Sequence, residues 1–214
     1  AKPDANLLNL LKKLTANGKN RVIIISGRDR ATLQKWLGHL DIDIIAEHGV
    51  WLREKSADWE TITKLHSEWK EQFRPVMDTY VNRTPGSFIE EKDHSLVWHF
   101  RKVETGLGEL RSRELTSHLK YLSNGKNLQV LEGDMVVEVK NAYVNKGNAA
   151  KKWLDTYAHD FVIAIGDDWT DEDTFKAMPE SAITVKVGNT SSAAKYNLPS
   201  VKEVRAFLKT LSDK

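Results

Sequence analysis

Residues Gly166-Asp167-Asp168-Trp169-Thr170-Asp171-Glu172-Asp173 place five carboxylates within seven positions, directly after the apolar run Phe161-Val162-Ile163-Ala164-Ile165. Carboxylates this close repel and raise one another's pKa unless something neutralises them. The simplest neutraliser is a hard divalent cation with oxygen ligands, of which Mg²⁺ fits best. The C-terminal end of a buried strand is also where open α/β sheets bind ligands. The plainer reading is a solvated acidic loop that opens a helix, since Asp and Glu favour the first helical turn. A Ca²⁺ loop is excluded, because its required glycine and distal glutamate are missing.

Three other segments carry groups suited to the same chemistry. They are Ser26-Gly27-Arg28, Glu47-His48-Gly49 and Asn145-Lys146-Gly147. A hydroxyl, cations and a metal-binding carboxylate cluster suit a phosphate. Ser26 can donate to a phosphoryl oxygen, and Lys146 can neutralise charge that spreads over the group during transfer. Asp167 is the candidate direct metal ligand, with Asp168 and Asp171 binding bridging waters or holding neighbours. Each residue alone also has a structural reading: a turn for Ser26-Gly27, an exposed helix-entry lysine for Lys146, a loop position for His48.

The elements that must position these groups follow a β-α-β rhythm. Leu7, Leu8, Leu10, Leu11 and Leu14 form a helical stripe. Val22 to Ile25 reads as a short strand buried on both faces. A helix with Leu33, Trp36 and Leu37 follows, then a strand through Ile42, Ile44, Ile45 and Ala46, and Val50-Trp51-Leu52 as a short returning strand. From Ile62 to Tyr80 the spacing predicts a helix kinked or interrupted at Pro75. Residues 87–101 alternate as a hairpin with its turn at Glu91–His94, a helix with Leu107 to Leu122 follows, and two strands are joined by Glu132-Gly133-Asp134. The first rhythm then resumes: a helix with Trp153, the strand 161–165, a short helix, a strand 183–187 ending at Gly188-Asn189, and a last helix with Ser200 and Glu203 as a capping box. The expected fold is α/β: a doubly wound, Rossmann-like parallel core from residues 1–82 and 142–214, with an α/β cap inserted at 83–141. In such a sheet the polar, glycine-containing strand ends share one edge.

A chain of 214 residues can bury a real core. A net charge of +2 gives no polyelectrolyte signal, so nucleic acid is not favoured. No apolar run spans a membrane. The absence of cysteine excludes disulfides and thiolate metal sites and fits a cytoplasmic protein.

Ile-Ile-Ser-Gly-Arg (24–28), Ala-Glu-His-Gly (46–49), Ser-Leu-Val-Trp-His-Phe-Arg (95–101), Asn-Lys-Gly (145–147) and Gly-Asp-Asp-Trp-Thr-Asp-Glu-Asp-Thr-Phe (166–175) together resemble the trehalose-6-phosphate phosphatases of the haloacid dehalogenase superfamily. The resemblance covers nearly the whole chain in order. It implies an Mg²⁺-dependent sugar-phosphate phosphatase that passes through an aspartyl-phosphate. Ser26 and Lys146 would bind the phosphate and Asp167 the Mg²⁺, with Asp168 and Asp171 in support. Arg28, Glu47, His48 and Gly49 would face the sugar phosphate from the core; Lys92, Arg101 and Glu138 would meet glucose hydroxyls from the cap. A fused or associated trehalose-phosphate synthase domain is the implied partner.

One part of the family pattern is missing. Its nucleophile lies in an Asp-x-Asp-Gly-Thr motif at the end of the first core strand. The nearest spelling here, Asp41-Ile42-Asp43, precedes its strand and would sit at the wrong end of it. The expectation is that about 20 or more residues lie upstream, enough for a strand, a loop and a linker. Two alternatives remain open: a non-catalytic regulatory or scaffolding domain, and a phosphatase for sucrose phosphate, a phosphomannose or a glucosylglycerol phosphate.

Overall fold

The computed structural model describes residues 2–16, 18–62 and 65–212. In chain order the elements are α1 (Ala5–Thr15), β1 (Ile23–Ile25), α2 (Arg30–Leu37), β2 (Asp43–Ala46), β3 (Trp51–Arg53), β4 (Glu60–Thr61), α3 (Lys70–Asn82), β5 (Phe88–Glu91), β6 (Ser95–His99), α4 (Thr105–Leu122), β7 (Leu128–Gly133), β8 (Val136–Asn141), α5 (Lys146–Thr156), β9 (Ile163–Gly166), α6 (Asp171–Ala177), β10 (Ile183–Val187), β11 (Tyr196–Leu198) and α7 (Val201–Ser212). They divide into two compact units, Ala1–Thr63 with Val144–Lys214, and Lys64–Tyr143.

The first unit carries the β-α-β rhythm as two sheets. One has the order β1-β2-β3-β4, the other β11-β10-β9. β1 pairs parallel with β2, and β9 with β10, as the rhythm requires. β3 returns antiparallel on β2, as expected. β4 and β11, too short to show a period, were not foreseen. Helices form where caps and stripes coincide. The Asp4 carboxylate caps α1 by accepting from Leu7 N–H at 2.8 Å, and Asp29 caps α2 by accepting from Thr32 N–H at 2.8 Å. Leu11, Leu14, Leu33 and Leu37 from these helices close over Ile42 and Ile44 of the sheet side. The expected capping box at Ser200 and Glu203 takes a different form. The Ser200 hydroxyl bonds the Glu203 carboxylate while accepting from Lys202 N–H.

Two expected burials are corrected. The continuous apolar runs predict burial on both faces for β1 and for the strand before the acidic loop, yet β1 and β9 are half-buried along their whole length. The cause is that each is the edge of its sheet. Along these edges runs an apolar cleft of about 130 Å³, lined by Ile23 and Ile25 on one side, Val162, Ile163 and Ile165 on the other, and Trp153 of α5. β2, paired on both sides, is fully buried at Ile44, Ile45 and Ala46.

The second unit is a four-stranded antiparallel sheet, β5-β6-β8-β7, covered on one face by α3 and α4. Leu96, Trp98, Val137 and Val139 project to the helices and pack on Phe73, Met77, Leu115 and Leu119. The expected domain border at residue 83 is moved by this packing. Phe73 and Met77 bury α3 against the inserted sheet, so α3 belongs to the insert. α3 also runs through Pro75 without interruption and starts at Lys70, which leaves Ile62 and Leu65 outside it.

Candidate functional site

In the first unit the polar segments after the strands interlock. Ser26 N–H donates to Ile45 O at 3.0 Å, His48 N–H to Ser26 O at 3.0 Å, and Glu47 N–H to Arg28 O at 3.0 Å. The His48 ring lies over Gly27 so closely that a Cβ at 27 would overlap it. Glu47 and His48 both hold left-handed backbone, φ 50° and 58°, ahead of Gly49 at 117°. Two adjacent non-glycine residues in this region are strained, a condition that clusters at functional sites. Gly49 packs on Ala149 and on the carbonyl of Asn145, so the second segment meets the third. Gly49 therefore acts through close backbone approach.

The third segment starts α5. Asn145 caps the helix by accepting from Asn148 N–H at 2.7 Å, and Lys146 is buried at 7% exposure. The Lys146 ammonium donates to Asp171 Oδ1 at 2.7 Å. This overturns the reading of Lys146 as an exposed helix-entry lysine. Gly147 lies against the carbonyl of Asp173, which ties α5 to α6. Asp171 also closes the acidic loop on itself, because its Oδ2 accepts from Asp168 N–H at 2.9 Å. Asp168 is turned into the same loop, accepting from Trp169 N–H at 2.7 Å and from the Thr170 hydroxyl at 3.5 Å.

The protein itself meets some of the charge of the acidic cluster. Two buried lysines take up part of its charge: Lys146 pairs with Asp171, and Lys186 with Glu172 at 3.5 Å. Glu172 further accepts from Ala193 N–H at 2.7 Å and the Ser192 hydroxyl at 2.8 Å. Burial is the largest single influence on its pKa and pushes it up. These two hydrogen bonds, with Lys186, outweigh it and hold the carboxyl below its ordinary value. Asp167 is left exposed just after β9, and among the described residues no side-chain partner takes up its carboxylate. Among the described residues no group of three or more His, Asp or Glu side chains converges as a metal site. A single free carboxylate still fits Mg²⁺, which keeps several waters and takes one or two carboxylates plus substrate phosphate oxygens.

Arg28 is exposed at the rim, its guanidinium 4.9 Å over the Trp36 ring. The Asp41-Ile42-Asp43 spelling falls at the start of β2, away from these strand ends, as expected. Asp43 is fully buried there, accepting from Arg21 Nε at 2.5 Å, Trp153 Nε1 at 2.9 Å and Lys55 N–H at 2.8 Å.

In the second unit the three expected sugar contacts do not converge. Lys92 lies in the turn before β6 and Arg101 beyond its far end, separated by a strand of roughly 13 Å at 3.3 Å per step. Arg101 is paired with Asp134 at 2.6 Å. Glu138 sits mid-sheet opposite Val97, on the face away from the helices. Lys140, two residues on and buried, shares that face and was missed. The period-2 pattern Val136-Val137-Glu138-Val139-Lys140 held the signal. Lys186 was missed as well, because a lysine inside an apolar strand has no motif to mark it, and Glu172 was counted only as a member of the acidic cluster.

Residues 1–203 match the sequence profile of the trehalose-phosphatase family. The chain belongs to this family. The bifunctional trehalose-6-phosphate synthase/phosphatase of Thermoproteus tenax is 38% identical over 211 residues, which is 99% of this chain and 29% of the relative. The chain therefore spans under a third of that protein. The C-terminal domain of the Candida albicans trehalose-6-phosphate phosphatase superposes with a TM-score of 0.86 at 28% identity, covering 100% of this chain and 85% of the domain. A haloacid dehalogenase-like hydrolase from Bacteroides thetaiotaomicron shares the fold at TM-score 0.73 and 16% identity, covering 97% and 92%. The α/β haloacid dehalogenase-like class expected from the trehalose-phosphatase motifs is thus the observed one.

Proposed function

We propose that the complete protein hydrolyses trehalose 6-phosphate to trehalose and phosphate with Mg²⁺, through an aspartyl-phosphate on a nucleophile outside these 214 residues. The observation that carries this reading is the linkage of Ser26, Lys146 and the 166–171 loop, through backbone and side-chain contacts, in the first unit of a trehalose-phosphatase chain. The Ser26 Oγ accepts from Arg28 N–H at 3.2 Å, which leaves its hydroxyl proton for a phosphoryl oxygen. Lys146 has three donors and uses one on Asp171, so two remain for charge that develops on the phosphoryl group. Mg²⁺, held by Asp167, would neutralise phosphate charge when bound. Arg28, Glu47 and His48 would contact the sugar phosphate, and Lys92 and Glu138 would meet glucose hydroxyls, with Arg101 left to its pair with Asp134.

The cleft between β1 and β9 supports the place of the missing carboxylate. Its two open strand edges and apolar walls suit one further strand, and an aspartate at that strand's end would lie beside Ser26 and Asp167. The phosphoryl group would pass from the sugar oxygen to that carboxylate, and water would then release phosphate. The test is phosphate release from trehalose 6-phosphate, sucrose phosphate and glucosylglycerol phosphate. The longer protein is expected to prefer the first, and residues 1–214 to release none. Equal release by both would sink the proposal that the nucleophile lies outside. Asp43, buried and bonded to Arg21 and Trp153, cannot stand in for that nucleophile, so without an upstream aspartate the protein would be a regulatory domain. An inactive longer protein that still binds the sugar phosphate would select it.

A further inference from the structure

Lys186 is the central residue of a strut beneath the acidic loop. It lies on β10, beside Gly166 in the register, with 4% exposure. Its ammonium donates to Asp167 O at 2.8 Å and Asp168 O at 3.3 Å, and pairs with Glu172 at 3.5 Å. All three donors of the ammonium are thereby directed. Glu172 in turn fixes the segment after β10 through Ser192 and Ala193. A lysine inside a strand otherwise built of Ile, Thr and Val is costly to bury, and an apolar residue would serve packing better.

We propose that Lys186, neutralised by Glu172, is the positioning residue for Asp167. By holding two successive carbonyls of the loop inward it presents the Asp167 carboxylate outward to a divalent cation. Glu172 offsets the ammonium charge, which would otherwise repel that cation. This rests on the Mg²⁺ site of the proposed function. It adds residues that touch neither substrate nor metal.

The test is Mn²⁺ titration of the full-length protein by electron paramagnetic resonance, beside its thermal melt. Lys186→Met is expected to weaken Mn²⁺ binding roughly 10- to 100-fold, the usual range for groups that orient a metal ligand. Lys186→Arg, whose fork can reach both carbonyls, should restore most of it. Glu172→Gln keeps the shape but leaves the ammonium charge unopposed, and should also weaken binding. If Lys186→Met fails to fold, Glu172→Gln decides. Native Mn²⁺ affinity in either variant, even with a lower melting temperature, overturns the positioning role. No Mn²⁺ binding by the unsubstituted protein overturns it together with the cation site. Intact binding effects without trehalose 6-phosphate hydrolysis would remove the substrate reading and leave the strut standing.

Discussion

Single atoms decide whether the phosphate-facing groups hold their places. Gly147 is the clearest case, because a Cβ there would overlap the backbone carbonyl of Asp173. A carbonyl cannot rotate away as a side chain can, so α5 and α6 must separate. Gly147→Ala is therefore expected to cost about 1–3 kcal/mol in denaturant unfolding, the range for overpacking. It should also loosen the pair between Lys146 and Asp171. Unchanged stability would show that the helices have slack. At this scale the motifs were legible in part. Asp167, Ser26 and Lys146 could be named because a phosphate needs a hydroxyl, a cation and a carboxylate. The bonds that turn Asp168 and Asp171 inward could not, since they depend on loop geometry that spacing leaves open.

Between elements, α1 and α7 are fastened by one carboxylate. Asp4 caps α1 through Leu7 N–H and pairs with Arg205 of α7 at 2.8 Å. The Leu7 hydrogen bond first, then Arg205, lowers its pKa below the ordinary 3.8. A carboxylate depressed in the folded state adds stability above its unfolded pKa, and that stability is lost as pH falls through the folded value. Asp4→Ala should thus lower the melting temperature at pH 7, and the gap to the parent should narrow as the pH falls below the ordinary 3.8 and through the lowered folded value. A gap of constant size would show that the charge contributes nothing. Helix stripes and caps made α1, α2 and α4 readable from periodicity. β4 and β11 carry too few residues for a period, and the openness of β1 and β9 reflects what lies beside them.

Across the whole molecule, each unit has its own core. Trp98 is fully buried in the insert, between the sheet and α3 and α4. Trp98→Ala is expected to cost the insert about 3–5 kcal/mol. Hydrogen exchange should accelerate in β6 and β8, with the amides of β2 unaffected. Equal acceleration in both would show a single cooperative unit. The placement of α3 in the insert was not legible, because its apolar stripe fits either core and contacts alone assign it.

The cleft beside β1 and β9 also bears on how the chain behaves in bulk solution. Two parallel edges with apolar walls are a template for any extended segment, including one from a neighbouring molecule. Residues 1–214 are accordingly expected to self-associate as their concentration rises, with loss of colloidal stability visible in light scattering. A longer protein with that slot filled should stay dispersed under the same conditions.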